Sequence, residues 1–106
     1  MPVKNILLLV TDDQASSEIM SQFGVPVVTP GMDALRARGT YFRRAYATIA
    51  VCKPMRFAFM SGYSPYQSGI LDLFEDEWKV LKPEETWTAK MKQAGFYNFT
   101  RGKIFH

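Results

Sequence analysis

Five apolar residues in succession, Ile6-Leu7-Leu8-Leu9-Val10, follow Asn5 and give way at once to Thr11-Asp12-Asp13. A continuous aliphatic run, without alternation, is the pattern of a parallel strand covered on both faces, so the reading is a buried strand over Asn5–Thr11. The run is far too short for a transmembrane helix or a signal-peptide core. Thr29-Pro30 then offers an N-cap with proline at the first helical position. Met32, Ala34, Leu35 and Ala37 supply an apolar face, and Gly39 a stop, predicting a short helix. Thr40–Ala47 is rich in β-branched and aromatic residues and reads as a strand or extended segment, although Arg43-Arg44 opposes this. A second helix is expected over Pro54–Ser61, with proline in its first turn and Gly62 behind it. A third is expected over Glu84–Ala94, where Trp87, Met91 and Ala94 share one face ahead of Gly95. Phe96–Thr100 reads as a second short strand. Gly62–Pro83, with Pro65, Gly69 and the acids Asp72, Glu75, Asp76 and Glu77, is the least regular stretch. Strand, helices and strand in this order predict the α/β class with a mainly parallel sheet.

Composition narrows the picture without changing it. With 106 residues, 47% of them hydrophobic and 22% charged, the chain suits one small globular domain and not a disordered segment. The net charge of +3 comes from scattered lysines and arginines, and only Arg43-Arg44 are adjacent. That distribution argues against a nucleic-acid surface and suits a small anionic ligand. With no leader peptide and no membrane span, a cytoplasmic location is the default expectation. The chain has a single cysteine, Cys52, so an internal disulfide is excluded.

Cys52 stands two residues before Pro54, at or just before the start of the second expected helix. Helix N-termini expose backbone N–H groups and a positive dipole end, which together favour a thiolate or a bound anion. Arg56, in the first turn, could bring its guanidinium fork to the same point. Three residues separate Cys52 from Arg56, too few for the longer oxyanion loop of cysteine-dependent phosphatases. On this segment alone, Cys52 is either a reactive group or a small buried hydrophobe packed beside Val51 and Phe57. Asp12-Asp13 is likewise either a turn after a strand or a pair of hard-cation ligands.

Other segments bear on both alternatives. Cys52-Lys53-Pro54-Met55-Arg56, a C-x-P-x-R pattern followed by an apolar stretch and Ser61-Gly62, resembles the signature of the type I, formylglycine-dependent sulfatases of the alkaline-phosphatase superfamily. Asn5–Asp13 is similar to that family's opening strand and acidic pair, and Thr29–Leu35 to its first helix. Arg38–Phe42 and Ala45–Ala47 resemble its lead-in to the cysteine. Gly102-Lys103-Ile104-Phe105-His106 is similar to its G-K-x-x-H segment, which with Asp72–Trp78 is nearest the iduronate-sulfatase-like branch.

The resemblance implies an alkaline-phosphatase-like α/β/α sandwich, of which residues 1–106 are the N-terminal portion of the catalytic domain. It implies hydrolysis of a sulfate ester, on a small molecule or a saccharide, to an alcohol and sulfate. Cys52 would be oxidised to formylglycine, whose hydrated aldehyde offers one oxygen to attack sulfur and a second to release the sulfate. Asp12 and Asp13, with the group derived from Cys52, would bind Ca²⁺. Arg56 would hold the formylglycine or balance the metal site, Lys103 would contact the sulfate, and His106 would hydrogen-bond the diol. The remaining ligands and the leaving-group acid would come from the missing C-terminal part or a companion chain. Met55 departs from the family, which usually has Ser, Ala or Thr after the motif proline. The rival readings are a phosphonate or phosphate monoester hydrolase of the same superfamily and a non-catalytic fragment that binds an anion or a partner chain.

Overall fold

The computed structural model describes residues 5–105. They form two compact units, one running through Arg43 and the other beginning at Arg44. The first contains helix α1, Ser17–Gln22, and helix α2, Pro30–Arg38. The second contains α3, Cys52–Ser61, the single-turn α4, Pro65–Ser68, and α5, Trp87–Gln93, with 3₁₀ turns at Glu77–Lys79 and Pro83–Glu85. No helix among the described residues is long and apolar enough to cross a membrane.

In the first unit, local chemistry makes the helices. The Ser16 hydroxyl accepts from the Ile19 amide at 3.2 Å, capping α1. Thr29 precedes Pro30 as expected, but its side chain makes no cap; the first helical bond runs from the Asp33 amide to the Thr29 carbonyl at 2.9 Å. Gly39 ends α2. Glu18 collects Arg36, Arg43 and the Tyr41 hydroxyl at 3.3–3.8 Å, while the Arg36 guanidinium lies 3.9 Å from the centre of the Tyr41 ring. No described residue of this unit is buried.

The strand expected over Asn5–Thr11 does not form. The segment is extended but unpaired in any ladder, and Ile6 to Val10 are each at least half exposed. A strand is stabilised only by a neighbour that takes up its backbone N–H and C=O groups, and the only regular elements among the described residues of this unit are two short helices. Thr40–Ala47 and Phe96–Thr100 also remain outside any strand, so the described residues contain no sheet. The helix expected over Glu84–Ala94 is divided at Thr86, whose extended backbone separates the Pro83–Glu85 turn from α5. The Thr86 hydroxyl donates to the Pro83 carbonyl at 2.8 Å and accepts from the Ala89 amide at 3.2 Å, ending one turn and starting the next.

The second unit is organised around α3. Phe57, Ile70 and Leu81 are almost wholly buried together, with Phe105 packed against them. Phe59 meets Trp87 edge-to-face with ring centres 5.8 Å apart, and Trp78 meets Phe105 at 5.1 Å. Gly62 adopts the left-handed conformation, φ 81°, that closes α3, with its amide on the Ala58 carbonyl. The stretch expected to be least regular holds a cap of its own. In α4 the Ser64 hydroxyl accepts from the Gln67 amide, and the Gln67 side chain accepts from the Ser64 amide.

Candidate active site

Cys52 is the first residue of α3, two positions earlier than the proline-based reading placed the helix start. Val51, before it, is extended and provides no side-chain cap, and the first helical hydrogen bond runs from the Met55 amide to the Val51 carbonyl at 3.0 Å. Pro54 has no N–H, so the other amide donors of this first turn are those of Cys52 and Lys53. Cys52 itself is partly buried. Phe57, further along the same helix, is fully buried.

Arg56 follows one turn later and is 8% exposed. Its Nη1 donates to the main-chain carbonyl of Lys103 at 2.6 Å. This bond spans 47 residues of sequence and brings the Gly102–Phe105 segment to the first turn of α3. The lysine's own side chain belongs to an exposed residue. His106, the other member of that segment, lies outside the described residues.

Met55, which replaces the usual small residue, lines an apolar groove of about 310 Å³ with Tyr46, Ala58, Phe59 and Tyr63.

Asp12 and Asp13 belong to the first unit and are exposed at the end of the extended apolar run. Asp13 has φ 52°, the one non-glycine residue with positive φ among those described. Aspartate tolerates this left-handed turn better than most residues. The pair suits a hard cation in kind, since both donors are carboxylates, but falls short of the roughly six to eight oxygens that Ca²⁺ takes. Among the described residues no group of three or more His, Cys, Asp or Glu comes together. Asp12-Asp13 is therefore at most part of a cation site.

Lys53, the neighbour of Cys52 in sequence, is paired with Glu77, a partner that the sequence does not reveal. Lys53 Nζ lies 3.1 Å from Glu77 Oε2, with both side chains about nine-tenths buried, and also donates to the Glu75 carbonyl at 2.9 Å. A lysine directly after the cysteine and an acidic run 20-odd residues later were visible as charges, but nothing in their spacing pairs them. Within the same acidic stretch, Asp72 is held below the ordinary carboxylate range, mainly because its side chain accepts from the Phe74 amide at 2.6 Å, with Glu75 contributing.

Comparison with known proteins bears on this arrangement. The family model described as Sulfatase matches residues 4–105. The chain is 33% identical over 104 residues to mouse iduronate 2-sulfatase, covering 96% of this chain and 18% of that protein. It is 37% identical over 99 residues to the uncharacterized sulfatase YidJ of Escherichia coli, covering 93% and 19%. A third relative is the N-acetylgalactosamine-6-O-sulfatase of Bacteroides thetaiotaomicron, 33% identical over 101 residues and covering 93% and 20%. The chain thus spans about a fifth of the length of these relatives. No solved structure matches it. The range of the family match takes in the apolar opening, the cysteine helix and the closing Gly-Lys segment, and the chain belongs to the sulfatase family.

Proposed function

We propose that this chain carries the N-terminal part of the active site of a sulfuric ester hydrolase of alkaline-phosphatase fold, with Cys52 as the precursor of a formylglycine and Asp12 and Asp13 as ligands of Ca²⁺. The observation that carries the reading is the start of α3. Cys52 occupies its first position, and Arg56, one turn on, is buried and bonded to the backbone of the Gly102–Phe105 segment.

Formylglycine, when present, would supply a geminal pair of oxygens, and a bound Ca²⁺ would polarise the sulfate oxygens. The chain's own residues do the rest. The amides and dipole at the start of α3 favour an anion beside residue 52. Arg56 adds a buried positive charge one turn along, and its bond to the Lys103 carbonyl fixes where that lysine's main chain lies. Lys103 then offers its ammonium to the sulfate from a fixed backbone position, and His106 holds or moves a proton at the oxygen of residue 52. The six to eight oxygens that Ca²⁺ needs are completed from outside this chain, by the rest of the polypeptide or by a companion chain.

Two measurements on the complete enzyme test the reading. The peptide containing Cys52 should be lighter than its sequence mass by the exchange of sulfur for oxygen and the loss of two hydrogens. An aryl sulfate should be turned over faster than the matching aryl phosphonate. A preference for the phosphonate would transfer the site to phosphonate hydrolysis, and an unmodified Cys52 with no turnover of either ester would reduce it to an anion-binding element.

A further inference from the structure

The Lys53–Glu77 pair is the one ion pair among the described residues whose two side chains are both nearly buried. Burying two charges costs free energy that a simple apolar pair would not, and its gain over such a pair is usually geometric definition and not stability. The geometry here is well defined. Lys53 is the second residue of α3, adjacent to Cys52, and its ammonium reaches both the Glu77 carboxylate and the Glu75 carbonyl. Glu77 begins a 3₁₀ turn whose N-cap, Asp76, accepts from the Trp78 amide at 3.1 Å. Upstream, the Asp72 amide donates to Glu75 Oε2 at 2.9 Å, so the stretch that meets Lys53 is itself tied into a compact loop. Trp78 carries the same stretch onto Phe105, in the segment whose Lys103 carbonyl holds Arg56. The N-terminal half of α3 is therefore fastened at two charged residues one turn apart or less. Lys53 fastens it to the 72–79 loop, and Arg56 fastens it to the Gly102–Phe105 segment.

We propose that Lys53 and Glu77 are positioning residues for the chemistry at residue 52. Their ion pair clamps the 72–79 loop onto the first turn of α3 and fixes the backbone from which the reacting group projects. Lys53 does not bind the sulfate in this scheme, because its ammonium is occupied by Glu77 and the Glu75 carbonyl. The proposal rests on the sulfatase reading for its kinetic consequence but not for its structural one.

The test uses the complete enzyme, with aryl sulfate turnover measured well below the melting temperature and amide hydrogen exchange followed in the peptides covering residues 51–60. Lys53→Met and Glu77→Gln should each lower kcat by about tenfold or more, the scale for a reacting group displaced by a fraction of an ångström. KM should move by less than about threefold, because the lost contact is not with the substrate. Both variants should speed exchange at the first turn of α3, and Lys53→Arg, which can still reach both acceptors, should restore most of kcat. A role in substrate binding predicts instead a raised KM for Lys53→Met and little effect of Glu77→Gln, and that outcome would overturn the proposal. Lowered melting temperature with unchanged kcat would overturn it as well, by reducing the pair to a structural one. If the wild-type enzyme turns over no sulfate ester, the sulfatase reading fails by itself. Hydrogen exchange then still decides the clamp, and unchanged exchange in both variants would end it.

Discussion

The two units of this chain use similar helix signals and reach different results. In the first, α1 is capped by the Ser16 hydroxyl and both helices are crossed by the Glu18, Arg36, Tyr41 and Arg43 contacts, yet no described residue is buried. In the second, α3 has no side-chain cap but buries Phe57 completely between Ile70 and Leu81. Caps and exposed ion pairs contribute tenths of a kcal/mol to about one, whereas a fully buried aromatic contributes several. Local signals thus place helices in both units, and only long-range packing gives one of them a core. The candidate chemistry is divided in the same way. Cys52 and Arg56 lie on the packed helix, while Asp12 and Asp13 lie at the end of an extended run whose apolar residues have no cover within their own unit.

The largest effect expected from this contrast falls on turnover. Cys52→Ala in the complete enzyme should abolish sulfate ester hydrolysis, by about a thousandfold or more, with little change in the melting curve, because removing one sulfur from the partly buried start of α3 leaves a small void. Cys52→Ser should be nearly as inactive, since a serine hydroxyl has no geminal oxygen to release sulfate. Turnover above about a tenth of wild type, a barrier change under ~1.4 kcal/mol, would return Cys52 to the role of a structural residue.

Stability should separate the two units next. Phe57→Ala should cost about 3–5 kcal/mol in denaturant unfolding, the scale for emptying a fully buried aromatic site. Leu8→Ala in the same 106-residue chain should change stability by less than about 0.5 kcal/mol, since Leu8 is half exposed. Equal losses from the two substitutions would mean that the apolar opening is packed after all.

A smaller effect is expected at the acidic pair. Asp13→Asn should lower the calcium affinity of the complete enzyme by at least about tenfold, which titration calorimetry would measure. The 106-residue chain should bind Ca²⁺ only weakly in the same experiment, for want of oxygen ligands. An unchanged affinity in the variant would remove Asp12-Asp13 from the site.

The smallest effect concerns pH. Asp72 has a depressed carboxyl pKa in the folded chain, chiefly from the Phe74 amide. Its contribution is therefore complete above the ordinary carboxylate value and is lost as pH falls through the lower folded value. Asp72 is fully exposed to solvent, so solvent screens the effect. Asp72→Asn should leave the melting temperature near neutral pH almost unchanged and flatten its acid dependence only slightly, below about pH 4. A marked change at neutral pH would give the 72–79 loop a larger share in the packed unit than its exposure allows.

Particular elements show what was legible. Thr29-Pro30 marks the start of α2 and Gly62 the end of α3, because a fixed proline φ and a left-handed glycine act within one or two residues of themselves; Gly39 ends α2 in an extended conformation. The start of α3 was read two residues late, since proline is tolerated throughout the first turn and does not mark its first position. Helix α1, capped by Ser16, and helix α4, with its Ser64–Gln67 capping box, have no counterpart among the elements expected from the sequence. Each helix is too short to show a convincing apolar periodicity.

The family motif, the placing of Cys52 at the mouth of a helix and the acidic pair behind an aliphatic run are all present in the order of the residues, because each depends on near neighbours and their side-chain chemistry. That Arg56 is held by the Lys103 carbonyl and Lys53 by Glu77, and that Ile6–Val10 is extended without a ladder, follows from packing. Those outcomes join residues more than 20 positions apart or depend on a partner strand. A hydrogen bond or ion pair between distant residues is fixed by where the intervening chain packs, and no local pattern carries that information.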